Sequence, residues 1–217
     1  MVLAIFDVDD TIIRGDSMYL FGAYVARRHG LSLSGALRFA WAMVRYVMGL
    51  EGSCVPKGRF FEMVCAGRTE TELRRLAEHF VRETLLPLVY PHATERIGWH
   101  QRAGHEVLII SASVDLYISL LADRLGITQC ICTKLNVAGD KATGWINGAN
   151  CKGRAKLDRL LGTYPESEVD WHESFMYSDS VTDLPLLERV GRPIAVNPDR
   201  KLTRIAQRRG WTIARWD

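Results

Sequence analysis

The sequence predicts an α/β protein: a doubly wound parallel sheet carrying a small helical bundle inserted after its first strand. Two observations predict it. The apolar run Val2-Leu3-Ala4-Ile5-Phe6 ends in Asp7-Val8-Asp9-Asp10-Thr11, which places two carboxylates at the C-terminal end of a buried strand, where open α/β sheets hold their reacting groups. From Pro91 onward, short apolar runs alternate with amphipathic helical stretches, the pattern of parallel strands joined by crossover helices.

Between these features lies a helical block without strand candidates. Asp16-Ser17 is suited to cap a helix running to about Arg28. A second amphipathic run spans Leu33 to Met48, and a third covers Pro56 to Cys65. Thr69-Glu70-Thr71-Glu72 opens a fourth, its acidic residues placed at the positive end of the helix dipole. The block has the length of a small bundle. The expected division is a core of residues 1–14 and 88–217 with a helical cap at 15–87. In the second part, strands are expected at Val107–Ile110, Gln129–Thr133, Ser174–Tyr177, Pro193–Val196 and Thr212–Arg215. Helices are expected near Ala93–Arg102, Leu116–Leu125, Arg154–Leu161, Leu184–Val190 and Leu202–Arg209. Ala138-Gly139-Asp140 and Thr143-Gly144 suggest a β-hairpin.

Composition narrows the function classes. At 217 residues the chain is long enough to bury an ordinary core, and 47% hydrophobic with 24% charged residues reads as a soluble globular protein. A formal charge of +3 implies no nucleic-acid partner, and the basic stretch from Arg200 to Arg209 reads as a solvated helix face. Five cysteines with no CxxC pair argue against a disulfide framework or structural zinc; Cys130 and Cys132 read as small apolar residues of a strand, and a reducing cytoplasm fits. The N-terminus starts in a strand-like run without a leader-like segment, and Arg38 and Arg45 interrupt the longest apolar window.

The chemistry-bearing residues recur at strand ends and helix starts. Asp7 and Asp9 leave the first strand together, one suited to attack an electrophile and the other to move a proton. Val107-Leu108-Ile109-Ile110 runs into Ser111-Ala112-Ser113, a hydroxyl and free N–H groups suited to a phosphate oxygen. Cys151-Lys152-Gly153-Arg154-Ala155-Lys156 starts a helix, and a lysine there is able to neutralise a phosphate and a carboxylate together. Phe175-Met176-Tyr177-Ser178-Asp179-Ser180-Val181-Thr182-Asp183 repeats the opening theme, and Asp179 with Asp7 makes a hard oxygen site of the kind Mg²⁺ prefers.

In this order the four motifs resemble the signature of the haloacid dehalogenase superfamily of phosphatases, over nearly the whole chain. The helical block is similar to the cap of its phosphoserine-phosphatase-like branch, subfamily IB. Cys151-x-Gly153-x-x-Lys156, Tyr177-Ser178-Asp179-Ser180-x-x-Asp183-Leu184-Pro185-Leu186-Leu187 and Val196-Asn197-Pro198-Asp199 resemble a bacterial subgroup that includes histidinol-phosphate phosphatases. The resemblance implies Asp7 as nucleophile and Asp9 as acid and base. It implies Mg²⁺ held by Asp7, the Asp9 carbonyl and Asp179 with support from Asp183, and phosphoryl oxygens held by Ser111 and a lysine. The subgroup's spacing favours Lys156, with Lys152 second. Asp16 stands where phosphoserine phosphatases have a glutamate for the substrate amine. Their cap arginine falls on Phe61, with Arg59 two residues earlier as the nearest alternative, and their glycine before the fourth-motif aspartate is Ser178 here. The expected partner is a small phosphorylated metabolite, phosphoserine- or histidinol-phosphate-like.

Two other classes compete. A lipid-phosphate phosphatase at a membrane surface is motivated by Leu37, Phe39, Trp41, Met43, Val44, Val47 and Met48, though an aromatic-rich helix more often packs a core or cap. A phosphorylatable signalling domain shares aspartates, a hydroxyl and a lysine, but such domains carry the acceptor on a middle strand of a single compact unit.

Overall fold

In a computed structural model of the chain, residues 1–65, 67–138 and 141–217 are described. Strand β1 (Leu3–Phe6) is buried along its whole length. It lies between two parallel neighbours, β2 (Glu106–Val114) and β5 (Phe175–Ser178). With β3 (Gln129–Ala138), β4 (Lys141–Asn147), β6 (Arg192–Val196) and β7 (Thr212–Ala214), the sheet has seven strands in the order β4-β3-β2-β1-β5-β6-β7. Among the described strands, β3 and β4 pair antiparallel and the other neighbours pair parallel. The β3–β4 pair is the hairpin the turn residues suggest, and its tip at Gly139 and Asp140 lies outside the described residues.

Alternation along β1 explains why the sheet is covered on both faces. Ala4 and Phe6 pack with Ile109 and Tyr177 beneath α5 (Pro91–Arg102) and α6 (Asp115–Arg124). Leu3 and Ile5 point the other way, to α7 (Arg154–Thr163), α8 (Leu184–Leu187) and α9 (Arg200–Arg209) through Leu157, Leu160, Leu186 and Leu202. The helix expected to reach Val190 is a 3-10 turn at Val181–Asp183 followed by the short α8, because the chain then turns through Gly191, whose N–H donates to the Trp171 carbonyl, to enter β6.

The helical block comprises α1 (Ser17–His29), α2 (Leu33–Val47), α3 (Cys54–Cys65) and α4 (Glu70–Phe80). Asp16 caps α1 by accepting from the N–H groups of Met18 and Tyr19, and Thr69 with Glu72 closes a capping box on α4. The chain leaves and re-enters the sheet side by side: the Arg14 N–H donates to the Leu88 carbonyl and the Tyr90 N–H to the Ile12 carbonyl, each at 2.9 Å. The block is tied to the core in two places. Phe21 of α1 and Phe80 of α4 meet Tyr117 of α6 with ring centroids 5.1 and 5.4 Å apart. On the far side, α3 lies against the hairpin so closely that a Cβ on Gly58 would come within 2.9 Å of the Trp145 ring. Helix α2 packs inward through Gly35, Phe39, Ala42 and Met43, while Leu37, Trp41, Val44, Val47 and Met48 are exposed. Among the described residues no helix is long and apolar enough to cross a membrane.

Candidate active site

The C-terminal edge of the parallel sheet gathers the four sequence motifs. Asp7 follows β1 directly; its N–H donates to the Tyr177 carbonyl of β5 at 3.0 Å, so the backbone is still held as strand where its side chain leaves. The chain then turns sharply. Thr11, Ile12 and Ile13 all donate to the Val8 carbonyl, and Asp10 takes a left-handed conformation (φ 52°) stabilised by its carboxylate accepting from the Gly15 N–H at 2.8 Å. That turn brings Asp9 back over the strand end. Its Oδ1 accepts from the Ser17 N–H and its Oδ2 from the Ser113 hydroxyl, both at 2.8 Å, and Ser113 in turn accepts from the Ser17 hydroxyl. Asp9 is thereby bonded to the first residue of α1 and to Ser113 of β2 at once.

Ser111 ends the regular part of β2, where the β2–β3 register shifts between Ser111 and Val114. The buried Ser111 hydroxyl accepts from the Ser113 N–H at 3.0 Å. The irregularity frees the Ala112 carbonyl from the ladder, and it accepts from the Thr133 hydroxyl at 2.7 Å and the Lys57 ammonium at 2.6 Å.

Lys156 is buried, 2% exposed, and its Nζ lies 3.0 Å from Asp7 Oδ1 and 2.7 Å from Asp183 Oδ2. Burial acts against its charge, yet Asp183 and Asp7 outweigh burial and hold its pKa above the ordinary lysine value. The Ser178 hydroxyl donates to the same Asp183 oxygen at 2.8 Å, so the serine standing where phosphoserine phosphatases have glycine orients the carboxylate. Of the two candidate lysines, the structure brings Lys156 to Asp7; Lys152 is exposed at the rim. Asp199, from the Val196-Asn197-Pro198-Asp199 stretch, caps α9 and also accepts from the Val181 N–H, while its own N–H donates to the Asp179 carbonyl at 2.9 Å. This pins the loop that carries Asp179.

The charge balance of this edge calls for a cation. Asp7 and Asp183 share the Lys156 ammonium, and Asp179 stands close enough to raise the Asp7 pKa. Burial first, and then Asp183, Asp179 and Asp9, raise the Asp7 pKa against the pull of Lys156. Burial with Asp10 and Asp183 pushes Asp179 up to about 7. Asp183 Oδ1 is buried without a hydrogen-bond partner. Carboxylates that repel one another and an orphaned acceptor beside them suit a hard divalent ion with its water shell. Among the described residues no three or more His, Cys, Asp and Glu side chains form a metal-holding group. A site made of two carboxylates and the Asp9 backbone carbonyl requires no such group.

Above this edge opens a cleft of about 200 Å³, lined by Asp9 and Ser113 on the core side and by Asp16, Tyr19, Phe39, Tyr46 and Lys57 on the cap side. Burial raises the Asp9 pKa, as does Asp16, against the hydrogen bonds from Ser17 and Ser113. Asp16 lines the cleft, and its oxygen also caps α1. Arg59 does not: it pairs with Glu62 at 2.7 Å and lies over the Trp145 ring, outside the cleft. Phe61, on which the substrate arginine would fall, is fully buried in the core.

Lys57 is the residue that sequence reasoning missed. From α3 it crosses the cleft to donate to the Ala112 carbonyl and, at 2.9 Å, to the Asn150 side chain, joining the cap to both core loops. Burial, with Lys152 nearby, lowers its pKa to about 8 despite Asp9 and Asp16. A signal was present: Lys57 stands one helical turn before Phe61, on the face an inward-looking cap residue occupies.

The model of haloacid dehalogenase-like hydrolases matches residues 4–188. The chain is 31% identical over 218 residues to the histidinol-phosphatase of Neisseria meningitidis, covering 97% of each sequence. It is likewise 31% identical over 213 residues to a phosphoserine phosphatase of Mycobacterium tuberculosis, covering 97% of this chain and 69% of that one. A crystal structure of a Bordetella pertussis protein of unknown function superposes with a TM-score of 0.86 at 30% identity, covering 98% of this chain and 97% of the other.

Proposed function

The chain belongs to the haloacid dehalogenase-like hydrolases and is a phosphatase of that family, and from this premise we propose that it hydrolyses a small, amine-bearing phosphomonoester through an aspartyl-phosphate on Asp7. The observation that carries the reading is the buried Lys156 ammonium between Asp7 and Asp183. The Val8 N–H and Lys156 both act on Asp7 Oδ1, which leaves Oδ2 for attack on phosphorus. The bond from phosphorus to the leaving oxygen breaks, and Asp9, which lines the cleft and whose burial favours its protonated form more than exposure would, delivers a proton to that oxygen. Asp9 then takes a proton from water, the hydroxide oxygen bonds to phosphorus, and the acyl-phosphate bond breaks to release inorganic phosphate and restore Asp7. Ser111 and Lys156 hold the phosphoryl oxygens. Mg²⁺, held by Asp7, Asp179 and the Asp9 carbonyl with Asp183 beside it, would supply positive charge to the phosphoryl group.

The cap, taken as residues 15–87, selects the leaving group. Asp16 offers a carboxylate to an ammonium, while Tyr19, Phe39 and Tyr46 offer aromatic surface. A cleft without Arg59, and with Phe61 buried, lacks the fork that a substrate carboxylate prefers. This combination supports an amino alcohol phosphate with a flat or apolar body, histidinol-phosphate-like, over phosphoserine. Phosphate release with Mg²⁺ from histidinol phosphate, phosphoserine, glycerol phosphate and nucleotides, with Asp7→Asn protein as control, tests it. Preference for phosphoserine would overturn the substrate assignment, and turnover surviving in the control would overturn the mechanism.

A further inference from the structure

Helix α2 has two apolar faces, and only one is used by the fold. The inner face reaches the cleft through Phe39 and Met43. The outer face carries Leu33, Leu37, Trp41, Val44, Val47 and Met48, which at 100° per residue fall within an arc of about 120°. Val47 is 78% exposed and Trp41 64%. Leu50, just beyond the helix end, is also exposed. A contiguous exposed apolar stripe of this size on a monomer marks a contact surface.

The charges around the stripe identify what it contacts. On α2 itself the charged residues are Arg38 and Arg45, with no acidic residue among them, and Arg59 and Glu51 share the groove of Leu37 and Trp41. Arg38 and Arg45 stand on the margin of the stripe next to Trp41; each reaches an acidic partner, Glu62 and Glu51, but Arg38 remains 56% exposed. A second copy packed on the same face would bring these arginine margins together with Glu62 and Glu51 already engaged and no further acidic group on the helix to pair across the seam. An anionic bilayer answers them directly: apolar side chains enter the acyl boundary, the tryptophan sits at the interface, and the arginines meet lipid phosphates. Fifteen residues of helix lie flat at that depth, and none of the described helices crosses it.

We propose that the outer face of α2 docks the cap onto anionic lipid membranes. The contact is independent of turnover and of the substrate assigned above. Co-sedimentation of the full chain with vesicles tests it, using phosphatidylcholine alone and phosphatidylcholine containing phosphatidylglycerol. The expected result is pelleting with the anionic vesicles, weakened by high salt and by omission of phosphatidylglycerol. The double variant Leu37→Glu/Trp41→Glu, altered only at exposed positions outside the cleft, is expected to lose membrane partitioning by more than about tenfold while cleaving a soluble aryl phosphate at the wild-type rate. Asp7→Asn protein is expected to pellet like wild type. Wild-type protein staying in the supernatant, or a double variant pelleting equally, would overturn the proposal. So would a vesicle-free dimer that the double variant converts to monomer, which would assign the stripe to a second copy.

Discussion

The sheet edge and the cap meet at one cleft but are held by different physics. At the edge, Asp7, Lys156 and Asp183 are buried within about a tenth of full exposure or less, and each is fixed by partners on adjoining strands or helices. On the cap side, Asp16 is half-buried, Tyr19 is exposed, and Lys57 spans a gap between elements rather than sitting within one. The difference teaches that the groups proposed to act on phosphorus are held by burial and by the shared Lys156 ammonium, whereas the groups proposed to choose the leaving alcohol depend on how the cap helices lie. On the proposed function, substitutions at the edge are expected to lower kcat, and those in the cap to act on KM.

The largest effect is expected at Asp7. Asp7→Asn removes the proposed nucleophile while keeping its size, and turnover should fall by about 10⁴-fold or more with the fold intact. Phosphate release measured beside circular dichroism reads both. Residual activity within tenfold of wild type would dissolve the distinction between the two regions, since the edge would then not be where chemistry happens.

Lys156→Met is the next largest. It leaves Asp7 and Asp183 buried without their ammonium, so stability should drop by about 3–5 kcal/mol in urea unfolding, and kcat by roughly 10²–10³-fold. Lys152→Met, at the exposed rim, should change stability by less than about 0.5 kcal/mol. Equal effects of the two would mean that burial does not separate these lysines.

Lys57→Met sharpens the comparison from the cap side. Losing a charged donor to two core acceptors should raise KM about tenfold or more, with kcat within about threefold. The pH dependence has a definite sign. With its pKa lowered to about 8, Lys57 is charged below that pH and loses its proton above it, so the wild-type KM should rise on the alkaline side of pH 8. In Lys57→Met that rise should be absent. A kcat loss instead would place Lys57 among the edge groups.

The same contrast governs what the sequence made legible. The edge was readable because each of its residues follows an apolar strand or opens a helix: Asp7 after Leu3–Phe6, Ser111 after Val107–Ile110, Asp179 after Phe175–Ser178. Strand ends are local features, and parallel pairing brings them together without further information. The choice between Lys152 and Lys156 was open because both lie at one helix start, and only burial on the second face separates them. Lys57 and Arg59 were harder. They sit two positions apart on α3, on different sides of the helix, and which side faces the cleft follows from packing against the hairpin at Gly58 and Trp145. The hairpin reads as a turn pattern, but its role as the seat of the cap is a long-range contact. Likewise α2 reads as one apolar helix, and only its neighbours decide which of its faces is covered.

The smallest effect tests the cap's chemistry without disturbing its position. Asp16 both caps α1 and lines the cleft, so most substitutions would confuse the two roles. Asn caps a helix about as well as Asp, so Asp16→Asn should change stability by less than about 0.5 kcal/mol. It removes the negative charge offered to an ammonium across a partly solvated gap, an interaction worth about 1 kcal/mol. KM for histidinol phosphate should therefore rise about fivefold, while KM for an aryl phosphate without an amine stays unchanged. A rise shared by both substrates would show that Asp16 serves only to set the helix, and the amine would have to be recognised elsewhere in the cleft.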